Sequence, residues 1–455
     1  MGLPLHRKVF VRKKIITVSF TIILASIGFT IGHSSPALAD APFEKPPVID
    51  AEDLLPAKFL KGKRYEVERK VPTNGFLGRF TLRTDYGTME VRGRDLLQIR
   101  VGEIRSIKAL HKKGKVKVFA SAAKDAALRP INAVKQVIKN PEETLDGIPA
   151  GVERFFHNAY RSAKKTTMNA VDAVSDYMEE KPDQAEPAEE EKTAEEQAAE
   201  NVEMAEKVVN KAGNVAKDYF GYNKARRQLA KQLEIDPYTT NPILNQTLDE
   251  SAWAAFAGGM AFKMAVPIPD AVSYTTKVSN LVWDLPPPDL EEINRKKLKK
   301  MGIKGRPVRD FFRNNAFSPT LTTSLVAALD QLDRVTGREE VIALATDTAS
   351  EEEARYLTGS TRLLAHYHKT VSPLIGITIV GTIVGWNQEG NIIVPSDVDY
   401  IAWTRRIAEF AQHPNLQTPE RHLWISGKFS PLAKQELRSL GWTVREEIRA
   451  ADRPE

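Results

Sequence analysis

Cysteine is absent from all 455 residues, which excludes disulfides, thiolate metal sites, a thiol nucleophile and a lipid anchor on a terminal Cys. The sequence also contains no Gly-x-Ser-x-Gly elbow, no His-Glu-x-x-His, no Gly-x-Gly-x-x-Gly and no phosphate-cradling Gly-x-x-x-x-Gly-Lys-Ser/Thr. The familiar routes to serine hydrolysis, zinc proteolysis and nucleotide binding therefore lack their local signatures. No repeat recurs at a fixed period, no groove-reading motif points to nucleic acid, and no cofactor or metal-ligand set is assigned.

What is present begins at the amino end. Arg7, Lys8, Arg12, Lys13 and Lys14 precede an uncharged apolar run from Ile15 to Ile31, which leads to Ala37-Leu38-Ala39 and then Asp40. Positive n-region, h-region and small-residue site, in that order, predict a secretory signal peptide over residues 1–39. The expected location is extracytoplasmic, as in a bacterial periplasm. The alternative is an uncleaved signal anchor, because the apolar run approaches the length of a span. After cleavage no transmembrane span is expected.

The formal net charge of +6 hides a strong polarity. Removing residues 1–39 leaves +1, and residues 179–206 carry twelve acids against two lysines. The rest of the mature body is therefore +11. The acidic segment lacks aromatics and has almost no large apolar residues, so it predicts a disordered or loosely helical linker. It separates an N-terminal part, 40–178, from a helical segment, 207–304, a C-terminal part, 305–447, and a tail, 448–455.

In the N-terminal part, Arg64 to Val71, Phe76 to Thr84 and Thr88 to Val91 read as strands. Thr73-Asn74-Gly75 and Asp85-Tyr86-Gly87 supply the turns of a small antiparallel meander. Leu96, Leu97, Ile99, Ile104, Ile107 and Leu110 form the stripe of a helix from Asp95 to His111. Long helices are expected over Val118–Ile138 and Gly151–Met178.

Beyond the linker, Asn241-Pro242, Ser318-Pro319 and Ser430-Pro431 pair a capping side chain with proline at the first helical position. Ser350-Glu351-Glu352-Glu353 is a capping box. From residue 305 the pattern alternates: helix Ser318–Val335, strand Val341–Thr346, helix Ser350–Lys369, strands Ile375–Trp386 and Asn391–Val394, helix Asp397–Ala411, strand His422–Ser426, helix Pro431–Leu440 and strand Thr443–Arg445. The fold class is thus an α+β N-terminal part, a small antiparallel meander with long helices, joined by the acidic linker to a C-terminal α/β sandwich with a mixed sheet.

Candidate chemistry is sparse. His366-Tyr367-His368 places two imidazoles two residues apart, which on a helix turns them about 200° from each other and disfavours a shared metal. Asp397-Val398-Asp399 is a carboxylate pair, with Ser396 and Asp399 also fitting the cap of the helix that follows. The loops beyond the strand ends would recruit Asp347, Thr348 and Ser350 after one strand and Ser426, Gly427, Lys428 and Ser430 after another, and a hydrolase would use the loops near Asp347, His366 or His368, and Asp397. Gly427, Lys428 and Ser430 lead into a helix and form a candidate anion site. Trp386, Trp403, Trp424 and Trp442 suit either core packing or sugar stacking. The function expected from these features is non-catalytic: a secreted or periplasmic cell-envelope protein acting through basic, helix-rich surfaces, in an interaction or scaffold role. Its expected partner is an anionic envelope surface or an envelope protein. The alternatives are an envelope-directed hydrolase with its site in the C-terminal domain, and a soluble binding protein for a sugar or small anion.

Overall fold

Two sheets are built by different rules. The computed structural model describes residues 43–113, 151–156, 221–258 and 276–449. The signal segment, the Val118–Ile138 helix, most of the Gly151–Met178 helix and the acidic linker lie outside them.

The N-terminal sheet runs β2 (Lys61–Gly62), β3 (Tyr65–Val67), β5 (Arg79–Thr84), β6 (Gly87–Arg92), all antiparallel. A separate pair joins β1 (Val48–Asp50) to β4 (Lys70–Pro72). The expected strand Arg64–Val71 is therefore two strands in two sheets, β3 and β4. The Asn74 side chain accepts from the backbone N–H groups of Phe76 and Leu77 at 3.0 and 2.8 Å, closing the turn that Asn-Gly announces. Two short helices, α1 (Ala51–Leu54) and α2 (Ala57–Leu60), and the long α3 (Arg94–Lys113) cover this sheet. The α3 stripe divides: Leu97, Val101 and Ile104 pack on the sheet, while Ile107 and Leu110 meet Leu229, Leu233, Leu244 and Leu248. These last come from helical residues 221–232 and from α4 (Pro242–Gly258).

Helices α5 (Thr276–Asp284), α6 (Pro287–Lys300), α7 (Arg306–Arg313), α8 (Pro319–Asp330), α9 (Arg338–Thr346) and α10 (Glu351–Thr370) follow. The C-terminal sheet then has the order β13 (Trp442–Arg445), β11 (Arg421–Ile425), β9 (Ile392–Ser396), β8 (Thr382–Asn387), β7 (Leu374–Val380). Strands β7, β8 and β9 form an antiparallel meander, while β9, β11 and β13 are parallel. The parallel crossovers carry α11 (Arg405–Ala411) and α12 (Pro431–Ser439). Alternation along the strands assigns the faces: Ile392, Val394, Leu423 and Ile425 pack with α11 and α12, while Ile393 and Trp424 pack with α10. Both faces of the mixed sheet are therefore covered by helices.

Three expectations change. Residues Val341–Thr346 lie in α9, not in a strand. Gly337 at φ +78° opens the helix, and Val341, Ile342 and Ala345 bury one side of it. Short apolar runs do not by themselves separate the two states. The expected strand Ile375–Trp386 is a hairpin, β7 and β8, folded at Gly381 with φ +70°. The expected helix Asp397–Ala411 begins only at Arg405, capped by Thr404, whose hydroxyl faces the Ile407 N–H. Residues 400–401 instead form β10, which pairs in parallel with β12 (Lys428–Phe429).

Candidate functional site

The hydrolase quartet is spread over three places: the end of α9, the C-terminal half of α10 and the loop after β9. Asp347 ends α9, and its carbonyl accepts from Arg154 at 2.7 Å. Asp397 packs against Gly359, filling the space a Cβ there would take. The His366 ring stands 6.2 Å from that of Trp424. His368 accepts from the Leu374 N–H through Nδ1 at 3.0 Å, and burial lowers its pKa. At 1.5 Å per residue, Gly359 lies roughly 10–13 Å along the helix axis from the two histidines, and a similar distance from the helix start beyond Asp347. His366 and His368 lie on α10, Asp397 packs against its middle and Asp347 ends α9, so the four do not converge. Among the described residues no group of three His, Asp or Glu side chains is placed to hold a metal ion.

The residue that does organise the region is Asp399. It does not cap the helix beginning at Arg405; it crosses the molecule. Its carboxylate accepts from the backbone N–H of Gly78 at 2.9 Å and of Arg94 at 3.0 Å, so it caps α3. Its own N–H donates to the Phe76 carbonyl at 2.8 Å. Phe76 in turn is fully buried among Phe156, Trp403 and Phe410. Burial pushes the Asp399 carboxyl up to about 6, against the opposing pull of the Arg94 charge and the two backbone donors. Nothing in the spacing Asp397-Val398-Asp399 announces this, because the partners are about three hundred residues away.

The anion candidates part company. Ser430 caps α12, accepting from Ala433 at 2.9 Å, and its hydroxyl also bonds Glu44. Gly427 is required where it stands, since a Cβ would overlap the Asp399 carbonyl. Lys428 alone faces an open cleft of about 310 Å³ at the carboxyl ends of the parallel strands β11 and β13. Its other walls come from the N-terminal part: Leu54, Leu55, Phe59 and Arg94. Lys428 donates to the Asp53 carbonyl at 2.9 Å, and Arg94 to the Ser426 carbonyl at 2.9 Å. Arg94 carries no local signal in the sequence beyond following Gly93 at a helix start.

Elsewhere the surface is strongly charged. From α6 through α7, residues 287–313, the chain has nine Lys or Arg and four Asp or Glu. Some pair locally, as Arg295 with Glu291 and Lys296 with Glu292. Among the described residues Lys299, Lys300, Lys304 and Arg313 have no carboxylate partner, and all four are exposed. Lys304 joins Arg334 and Arg338 around a shallow depression between the α6–α7 loop and the start of α9.

The four tryptophans are core or partly so: Trp403, Trp424 and Trp442 are buried at 2 % exposure, leaving no indole platform for a sugar among these three. No helix among the described residues is long and apolar enough to cross a membrane. No protein-family model, curated protein or solved structure matches the chain.

Proposed function

We propose that the protein is a non-catalytic, extracytoplasmic component of the cell envelope that docks on an anionic membrane surface through the basic shoulder formed by α6 and α7. The observation that carries this reading is the set Lys299, Lys300, Lys304 and Arg313, exposed and without a carboxylate partner among the described residues. An unpaired cation close to an anionic leaflet contributes about 1 kcal/mol, so four of them would contribute roughly 4 kcal/mol. That is enough for reversible attachment without an inserted helix. The signal-like segment at residues 1–39 supports the compartment, and the structural duties of Asp347, His368 and Asp399 favour binding over catalysis.

The test is co-sedimentation of the purified protein with vesicles of phosphatidylglycerol and of phosphatidylcholine, at low and high salt. Binding to the first alone, released by salt, is the expected outcome, because exposed charges are screened within about 10 Å at 0.1 M. Equal binding to both vesicles, or to neither, overturns the proposal. Retention on an anionic glycan resin but on neither vesicle would replace the membrane with a polysaccharide. Amino-terminal sequencing of the exported chain checks the cleavage, with Asp40 as the expected first residue.

A further inference from the structure

The cleft at the carboxyl ends of the parallel strands shares no residue with the basic shoulder and has a different character. Several partly buried arginines among the described residues sit in short carboxylate pairs: Arg100 with Glu103 at 3.0 Å, Arg154 with Glu353 at 2.6 Å, Arg355 with Glu351 at 2.6 Å. Arg94 does not. Its Nη2 is held by a neutral carbonyl, that of Ser426, and its nearest ion-pair carboxylate, Asp95, is 3.9 Å away. Lys428 is held in the same manner by the Asp53 carbonyl, with Glu447 at 3.8 Å and largely in solvent. Both separations exceed hydrogen-bond range. Asp399, the buried acid close by, has its oxygens on the Gly78 and Arg94 backbone N–H groups.

Two cations are thus oriented by carbonyl dipoles, with Asp95 and Glu447 at ion-pair distance and, among the described residues, no carboxylate within hydrogen-bond range of either. A guanidinium has five donors and an ammonium three. One hydrogen bond apiece leaves most of them available. Beneath them, Leu54, Leu55 and Phe59 are buried side chains that present an apolar floor. Lys58 and Arg449 stand at the rim as exposed cations, beside the exposed acids Glu52, Asp53 and Glu447. The volume of about 310 Å³ matches the lower end of small-molecule pockets, roughly 300–1,000 Å³. The position, outside the carboxyl ends of adjacent parallel strands, is where open α/β sheets gather ligands.

We infer that this cleft binds a small organic carboxylate, its anionic group on Arg94 and Lys428 and its apolar body on Leu54, Leu55 and Phe59. The site exists only because the N-terminal helices close over the end of the C-terminal sheet. Recognition by charge at one end and apolar surface at the other makes two separable demands, and a ligand series can test them apart.

The experiment is calorimetric titration of the purified full chain with butanoate, hexanoate, octanoate, octanamide and inorganic phosphate. Affinity is expected to rise about fourfold per added methylene along the carboxylates, the fold-change corresponding to about 0.8 kcal/mol per buried CH₂. Octanamide is expected to bind at least tenfold more weakly than octanoate. Lys428→Gln should lower octanoate affinity about tenfold while preserving the methylene increment. Should that variant lose its near-ultraviolet dichroism, Arg449→Gln is used instead, with a loss of about threefold. The inference is overturned if no carboxylate binds, if octanamide or phosphate matches octanoate, or if the folded variant binds octanoate as the wild type does.

Discussion

The buried seam between α3 and the rest of the molecule and the exposed shoulder on α6 and α7 use the same residue types to opposite ends. In the seam, Glu103 is 3 % exposed and is met by Arg100 at 3.0 Å and by Asn241 at 2.8 Å, with the Thr239 hydroxyl also bonded to it. Asn241 meanwhile caps α4, accepting from Ile243 and Leu244. On the shoulder, Lys299, Lys300, Lys304 and Arg313 face water with no carboxylate partner among the described residues. A charge out of water must be fully paired and hydrogen-bonded or the fold fails, whereas a charge in water carries no such demand. Unsatisfied charge is therefore affordable only at the surface, and there it is free to meet something else.

The largest effect that would sharpen this contrast is at Glu103. Truncation to Ala leaves Arg100 buried without its carboxylate, and a loss of about 3–5 kcal/mol is expected on chemical denaturation. A loss near zero would mean that the seam is not what holds α3.

Next comes Asp399. Burial lifts its folded pKa to about 6, above the ordinary aspartate value of 3.8, so the folded state holds the proton more tightly than the unfolded one. The stability contributed by that proton is complete below about pH 4 and is lost as pH rises through 6. At 1.36 kcal/mol per pKa unit, the swing is on the order of 3 kcal/mol. Asp399→Asn should destabilise the protein through its weakened hold on Gly78 and Arg94, yet less at pH 7 than at pH 4. Parallel pH–stability curves for the two proteins would contradict this assignment.

On the shoulder, replacing Lys299, Lys300 and Lys304 together with Gln should weaken binding to anionic vesicles by roughly 100-fold, from about 1 kcal/mol per cation. Thermal stability should stay within experimental scatter, since surface substitutions usually fall within about 0.5 kcal/mol. A variant that unfolds instead would erase the distinction between the two regions. Smaller still is Ser350→Ala, which removes the acceptor for the Glu353 N–H at 3.2 Å and should destabilise by about 1 kcal/mol in a urea titration.

The features legible in the sequence were those closed within a few residues. Asn241, Ser318, Ser350 and Ser430 all accept from the backbone two or three residues ahead, as their proline or acidic followers suggested. The capping box at Ser350 closes slightly off pattern, with Glu353 reaching Ala349 at 2.9 Å. The α3 stripe was visible for the same local reason, though not its division between two cores. Val341–Thr346 misled because the extended pairing in that neighbourhood belongs to Thr336, which bridges Gly376 just before the helix starts. The Ser396 and Asp399 pair misled because a cap can serve a helix anywhere in the chain.

By itself the sequence determined the cysteine-free chemistry, the strand–helix–strand unit that closes the chain, the N-terminal hairpin and the helix starts at Pro242, Pro319, Glu351 and Pro431, since each depends on periodicity or on bonds a few residues long. Only the tertiary structure decided that Asp399 caps α3, that Phe76 enters the core shared with Trp403 and Phe410, and that Lys428 and Arg94 face one cleft. Those pairings join residues more than three hundred positions apart. Their specificity comes from burial and backbone geometry at the meeting point, and no local pattern records it.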